Sequence, residues 1–454
     1  VSAHRYWRLR CRLNSGDGSF TGLTEIQMRT VSGGSNVCSG GTAISTGTIQ
    51  AGSAAQCFDG NTTTTLIQWS GTGSGGALSV GYDFGAGVTQ DIVEIVVWPD
   101  KDAAARAFGE FDVQSSDDNV TWTTAWSVTT SGWVVGTAKT FTKPSAAAHR
   151  YWRIRPFKSF NGATGGFGIA EVEMKETVGG TDATGSGTAS ARTTFSGTSA
   201  ANAFDNSNST IYSHNTVVAE SDWLQYDFGS GVTKSIVEVT LLPRQDTSWQ
   251  QAPTSAYVES SSDGVNFLER FRFTNAIGGE DYRMRCIAPA SVPTPAAGLH
   301  RLWGIQADAV QSGTVFGVAE IQLRATVGGA AINTGGYGAG STFPFNSTTA
   351  LPSKAYDGNN STEYSSSGSV LPDVVAYDFG FGAEVVSPVQ LKIRARSSFA
   401  SQAPTTFDLV YSDDGQTWTV QQSFTTPATW VGSEERLFGI TVAPTSRRRQ
   451  LFAC

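Results

Sequence analysis

Charge is scarce in this chain. Only 15% of the 454 residues are Asp, Glu, Lys or Arg, and 31 basic residues stand against 39 acidic ones for a net charge of -8. Neutralising a run of phosphates takes a basic face, so the balance argues against nucleic-acid partners. Histidine (4) and methionine (3) are rarer still. The five cysteines, Cys11, Cys38, Cys57, Cys286 and Cys454, are odd in number and irregularly spaced. No disulfide framework or zinc site follows from them, and at least one thiol is unpaired within the chain. No apolar run approaches the ~18 residues that a bilayer span requires, which excludes insertion by an apolar helix. The opening VSAHRYWRL lacks the apolar core of a signal peptide, so the expectation is a soluble chain or one whose secretion signal has been removed.

What is abundant is glycine (51 residues), serine, threonine and aromatics, together with repetition. His4-Arg5-Tyr6-Trp7-Arg8 returns as His149-Arg150-Tyr151-Trp152-Arg153 and, eroded, as His300-Arg301-Leu302-Trp303-Gly304, a period of about 150 residues. TEIQMRTVSGG from Thr24, AEVEMKETVGG from Ala170 and AEIQLRATVGG from Ala319 keep that period. So do Phe58-Asp59-Gly60, Phe204-Asp205-Asn206 and Tyr356-Asp357-Gly358, and the YDFG strings ending at Gly85, Gly229 and Gly380. Each copy closes on a turn and an aromatic, at Trp122, Phe267 and Trp418. The period exceeds that of solenoids and propellers, so each copy is read as a whole domain.

Within a copy, apolar residues alternate, as in Ile92-Val93-Glu94-Ile95-Val96-Val97, and turn clusters follow roughly every 8–12 residues. No window carries a 3.6-residue period. The expectation is all-β: antiparallel sandwiches with helix confined to short turns.

The ordered set RYWR, [AT]E[IV]-x-[ML], FDG-x-x-x-T, YDFG and S-x-DG-x-x-W resembles the discoidin or coagulation-factor C-type domain, one of the galactose-binding-like jelly rolls. The resemblance runs through all three copies, nearly the whole chain. It implies three tandem jelly-roll β-sandwiches. In the usual family order the RYWR and AEI strands end the domain, whereas here they begin it. Circularly permuted units at 1–147, 148–298 and 299–454 fit the chain without leftovers. The other register, in which the N-terminal strands complete the third unit, would put Glu171 rather than Glu25 beside Asp59.

In the resembled family the FDG loop commonly holds a structural calcium clamped by the strand glutamate. Carried over, the ligands are Glu25, Asp59 and Thr64, then Glu171, Asp205 and Thr210, then Glu320, Asp357 and Thr362. Carboxylate, hydroxyl and carbonyl oxygens in a tight turn suit a hard cation. An Asx-turn in which Asp and Thr cap backbone amides is the alternative. Tyr212 and Tyr364 follow at the family's aromatic position, where the first copy has Leu66, so copies two and three fit best.

Sugar binding in this family uses loops at one end of the sandwich, where an aromatic face stacks on a pyranose and planar charged donors meet its hydroxyls. His214 is the one histidine outside the repeat pattern, and Arg244-Gln245-Asp246 follows 30 residues later. The pair looks like the His and Arg-x-Asp of fucose-binding lectins, with Trp249 as the stacking face. The equivalent loop of copy three offers Arg394, Arg396 and Phe399, and ranks second.

No nucleophile elbow accompanies these motifs, every recurrent acid has a structural explanation, and the expectation is a non-enzyme. The function read from the sequence is a carbohydrate-binding adhesin that attaches to cell-surface glycans, strengthened by multivalency and by homo-oligomerisation or assembly with virion subunits. Similar RYWR-first tandem modules occur in phage-type virion proteins, so a tail fibre or head spike on the virion surface is the first setting and a secreted extracellular lectin the second. The competing reading is a structural protein whose jelly rolls serve as spacers and docking modules. Arg447-Arg448-Arg449 reads as a solvated tail.

Overall fold

In a computed structural model, residues 3–441 are described except 145–147, 161–165, 215–221, 247, 277, 279–282, 294, 297, 342–349, 367–370, 381 and 427–428. Arg447-Arg448-Arg449 and Cys454 lie outside the described residues. The fold is all-β, and every helical segment among the described residues is a 3-10 turn of three to five residues.

The Tyr6–Asn14 strand is central to its sheet: it pairs antiparallel with Leu78–Asp83 on one side and Phe108–Ser116 on the other. Alternation sends Trp7, Leu9 and Cys11 into the core, each at most 1% exposed, and leaves Arg8, Arg10 and Arg12 on the opposite face. The facing sheet is built around Phe20–Arg29, which pairs with Ile67–Ser70 and Glu94–Pro99. The third copy repeats this plan. Leu302–Val310 lies between Asp373–Asp378 and Pro404–Ser412, and Glu320–Arg324 pairs with Gln390–Arg394. Apart from Thr123–Thr129, which also pairs with a strand outside this range, the strands of residues 1–147 pair among themselves, and Glu25 accepts the amide of Gly60 at 3.2 Å, beside Asp59.

The repeated strings have one physical explanation. The Asp of each YDFG takes both ends of the guanidinium two residues before the buried Trp: Arg5 on Asp83 (2.7 and 2.8 Å), Arg150 on Asp227 (2.6 and 2.6 Å), and Arg301 on Asp378. The same Asp accepts the amide of the glycine that closes the string, which sits at φ 99°, 99° and 88° in the three copies. Left-handed backbone there requires glycine.

Two compact units emerge, Val1–Phe167 with Glu173–Val237 and Ser255–Phe273, and Gly168–Val172 with Glu238–Thr254 and Thr274–Cys454. They are not coextensive with the sequence repeats. The reason lies inside the first unit, where repeat-equivalent strands Thr123–Thr129 and Asn266–Phe273 pair antiparallel, Asn266 opposite Val128 and Phe267 opposite Ser127. Behind this seam lies a buried ionic cluster. Glu259 takes Arg153 at 2.6 Å and Arg155 at 2.8 Å, Arg12 reaches Asp112 at 3.3 Å, and Arg192 bridges Glu110 and Asp222, each at 3.2 Å. Burial opposes the charge on Glu259, but Arg153 and Arg155 outweigh it and hold its carboxyl well below the usual range.

Cys11, Cys38, Cys57 and Cys286 are free and buried. Burial pushes the Cys38 thiol up to about 12, so it is unreactive at neutral pH.

Candidate functional site

The FDG loops close on their own side chains. Thr210 donates to both carboxylate oxygens of Asp205 at 2.9 and 2.8 Å, and Thr362 to those of Asp357 at 2.9 and 2.7 Å. In the first copy Asp59 accepts the Asn61 amide at 2.8 Å, while Thr64 is bonded by the Asn61 side chain instead. The strand glutamates differ. Glu25 and Glu320 are at most 1% exposed, and each buries one carboxylate oxygen that has no hydrogen-bond partner. Burial, with the neighbouring charge of Asp59 or Asp357, pushes both carboxyls up to about 8. Glu171 instead accepts the amide of Val172 at 3.3 Å. Among the described residues no cluster of three or more His, Cys, Asp or Glu forms, so a cation here would rest on two carboxylates plus neutral oxygens. An orphaned buried carboxylate oxygen beside a second carboxylate fits a divalent cation in copies one and three. That differs from the ranking by Tyr212 and Tyr364, both of which are simply buried.

The end loops share a scaffold and differ in what they expose. Counted back from Ala252-Pro253 and Ala403-Pro404, Gln251 and Gln402 occupy one position, and the first copy has Arg106 before Ala107 there. Arg244 donates to Gln251 at 2.8 Å, and Arg396 donates to Gln402. The first copy reverses the charge, with Asp100 at 3.7 Å from Arg106.

In the second copy Arg244 is clamped by Asp246 at 3.1 and 2.6 Å. Trp249, expected to be the stacking face, is 0% exposed and offers no face to a ligand. It opens the 3-10 turn Trp249–Gln251, which rolls its ring into the core. His214 is buried as well. The Phe167 amide donates to its Nδ1 at 2.9 Å, and its Nε2 lies 3.3 Å from Asp222. Its hydrogen-bonding capacity is taken up internally, so neither ring is available to a sugar and the expectation for this loop is corrected.

In the third copy the aromatic stands one residue earlier relative to Ala-Pro. Phe399 precedes the turn Ala400–Gln402 and is 52% exposed. One residue of a 3-10 turn is a rotation of about 120°, enough to move a ring from core to solvent. The Arg396 guanidinium stacks on this ring, 4.6 Å from its centroid, and is itself only 6% exposed. Glu363 and Gln402 hold it, and Ser365 donates to Gln402 at 3.2 Å. Gly317 makes room: a Cβ there would stand 2.7 Å from Gln402 Oε1 and 2.9 Å from Arg396 Cδ. Arg394, by contrast, pairs with Glu435 on the neighbouring strand at 2.9 Å and takes no part. Glu363, Ser365 and Gln402 escaped the sequence reading. The Gln-Ala-Pro shared by copies two and three is the signal that marks Gln402.

Residues 186–282 match the F5/8 type C domain, a jelly-roll β-sandwich whose members are in general non-catalytic modules that bind carbohydrate or protein. The match begins after the RYWR and AEVEM strands of its copy. No curated protein and no solved structure matches the chain.

Proposed function

We propose that the chain is a non-enzymatic carbohydrate-binding adhesin whose sugar site is the end loop of the third copy. The observation that carries this reading is the half-exposed Phe399 ring backed by a buried, doubly anchored Arg396. A ring held flat from behind offers its outer face to the apolar side of a pyranose at little entropic cost. Glu363, one-third exposed, supplies acceptor chemistry at the rim, while the fully buried Ser365 steadies Gln402 from below. Arg244 and Asp246 of the second copy satisfy each other and serve as loop structure.

Calcium is proposed as a structural cofactor in copies one and three, held by Glu25 with Asp59 and by Glu320 with Asp357. Bound there it would neutralise paired carboxylates and tie the loop to the strand. The RYWR-first tandem order supports a virion-surface setting, tail fibre or spike, with an extracellular lectin next. The seam between equivalent strands in the first unit supports a second reading, in which the first two copies chiefly act as a rigid spacer. A glycan array probed with the intact chain, with and without chelator, tests the proposal, and absence of binding under both conditions overturns it.

A further inference from the structure

We infer that the Thr419–Thr425 strand is a docking edge for the same strand of a second copy of this chain. In the third copy the sheet order ends on this strand, so among the described residues its outer edge is unpaired. Its repeat equivalents are not left so. Thr123–Thr129 and Asn266–Phe273 mate with each other, antiparallel, and Thr129 donates to the Val265 carbonyl at 3.0 Å. The chain therefore already shows this edge pairing with its own equivalent. Mating buries the strand: Trp126, Ser127 and Val128 are at most 1% exposed, whereas at the equivalent positions of the unmated strand Gln422 and Phe424 are only part-buried and Ser423 is exposed.

The composition of the strand points the same way. Open edges are normally blunted by charge, proline or short length. TVQQSFT has no charge, no proline and no glycine over seven residues. The opposite edge of the same sheet, Tyr337–Gly340, has four residues, and the edge of the facing sheet, Glu435–Gly439, begins with two charged ones. The seam in the first unit is flanked by Arg12, Asp112, Arg155 and Glu259, but the third copy carries Gln306, Asp308, Asp408 and Val410 along its two central strands. An uncharged, glutamine-rich edge fits its own copy rather than an Arg/Glu-flanked strand. Antiparallel pairing of a strand with itself is isologous, so it closes at a dimer and removes both edges.

Sedimentation velocity of the full chain from ~1 to ~100 μM, with a Val420→Lys/Thr425→Lys variant, tests this. Both side chains are exposed, so the fold is kept, and an unchanged thermal midpoint checks that. The expected result is a concentration-dependent dimer whose dissociation constant rises about tenfold or more in the variant, since like charges would face each other across the seam. Hydrogen exchange should slow at the 419–425 amides of the wild-type dimer and not in the variant. A monomer throughout the range, whether residues 442–454 or nothing covers the edge, overturns the inference. A dimer indifferent to the two lysines overturns it equally. Either result leaves the sugar-site proposal untouched.

Discussion

The end loops of copies two and three share an Arg–Gln hydrogen bond and an Ala-Pro exit, yet one hides its aromatic and the other displays it. Trp249 begins its 3-10 turn and is 0% exposed, while Phe399 stands just before its turn and is 52% exposed. A shift of one residue decides whether the aromatic packs into the core or faces solvent. The Arg-x-Asp string, which looked more like a lectin signature, turns out to be the loop that satisfies itself.

Substitutions should separate the two loops in opposite ways. Trp249→Ala should cost about 3–5 kcal/mol of stability through the cavity it leaves, with no change in glycan affinity for the folded fraction; calorimetry and titration together check both halves. A loss of affinity without destabilisation would reverse the roles of the two loops.

The mated and unmated edges make a second contrast. Glu259→Gln should cost about 3–5 kcal/mol, because Arg153 and Arg155 remain buried without their counter-charge. The carboxyl of Glu259 is depressed in the folded state, so its contribution is complete above the ordinary carboxylate range and is lost as pH falls through the lower folded value. Wild type should therefore hold its thermal midpoint near neutrality and lose it in acid, and the variant should lose less. Equal acid sensitivity in the two would remove Glu259 from the account.

Calcium in about hundredfold excess over its dissociation constant should stabilise the chain by roughly 2.7 kcal/mol per occupied site. Glu25→Gln with Glu320→Gln should remove that gain, whereas Glu171→Gln should not. A gain that depends on Glu171 instead would restore the second copy as the metal site.

The smallest effect expected is that of Arg396→Lys, about 1 kcal/mol in glycan binding, since the ammonium keeps the charge but loses the flat stacked fork. No change would mean that Phe399 needs no backing.

The β-class and the recurrence of the strings were legible because they rest on alternation and on a fixed period, and Trp7, Trp152 and Trp303 are buried alike; that each YDFG aspartate meets an arginine 77 or 78 residues away was not legible. The seam between Thr123–Thr129 and Asn266–Phe273 was not legible, since strand neighbours far apart in sequence leave no periodic trace. Nor was the burial of His214, whose partners Phe167 and Asp222 come from segments with no motif of their own.

The third copy is proposed to carry the sugar site. Glycan binding measured side by side for wild type, Phe399→Ala and Trp249→Phe tests it most directly. Binding that is lost in Phe399→Ala, by about thirtyfold or 2 kcal/mol, and kept in Trp249→Phe is the predicted result. Binding that survives Phe399→Ala would contradict it.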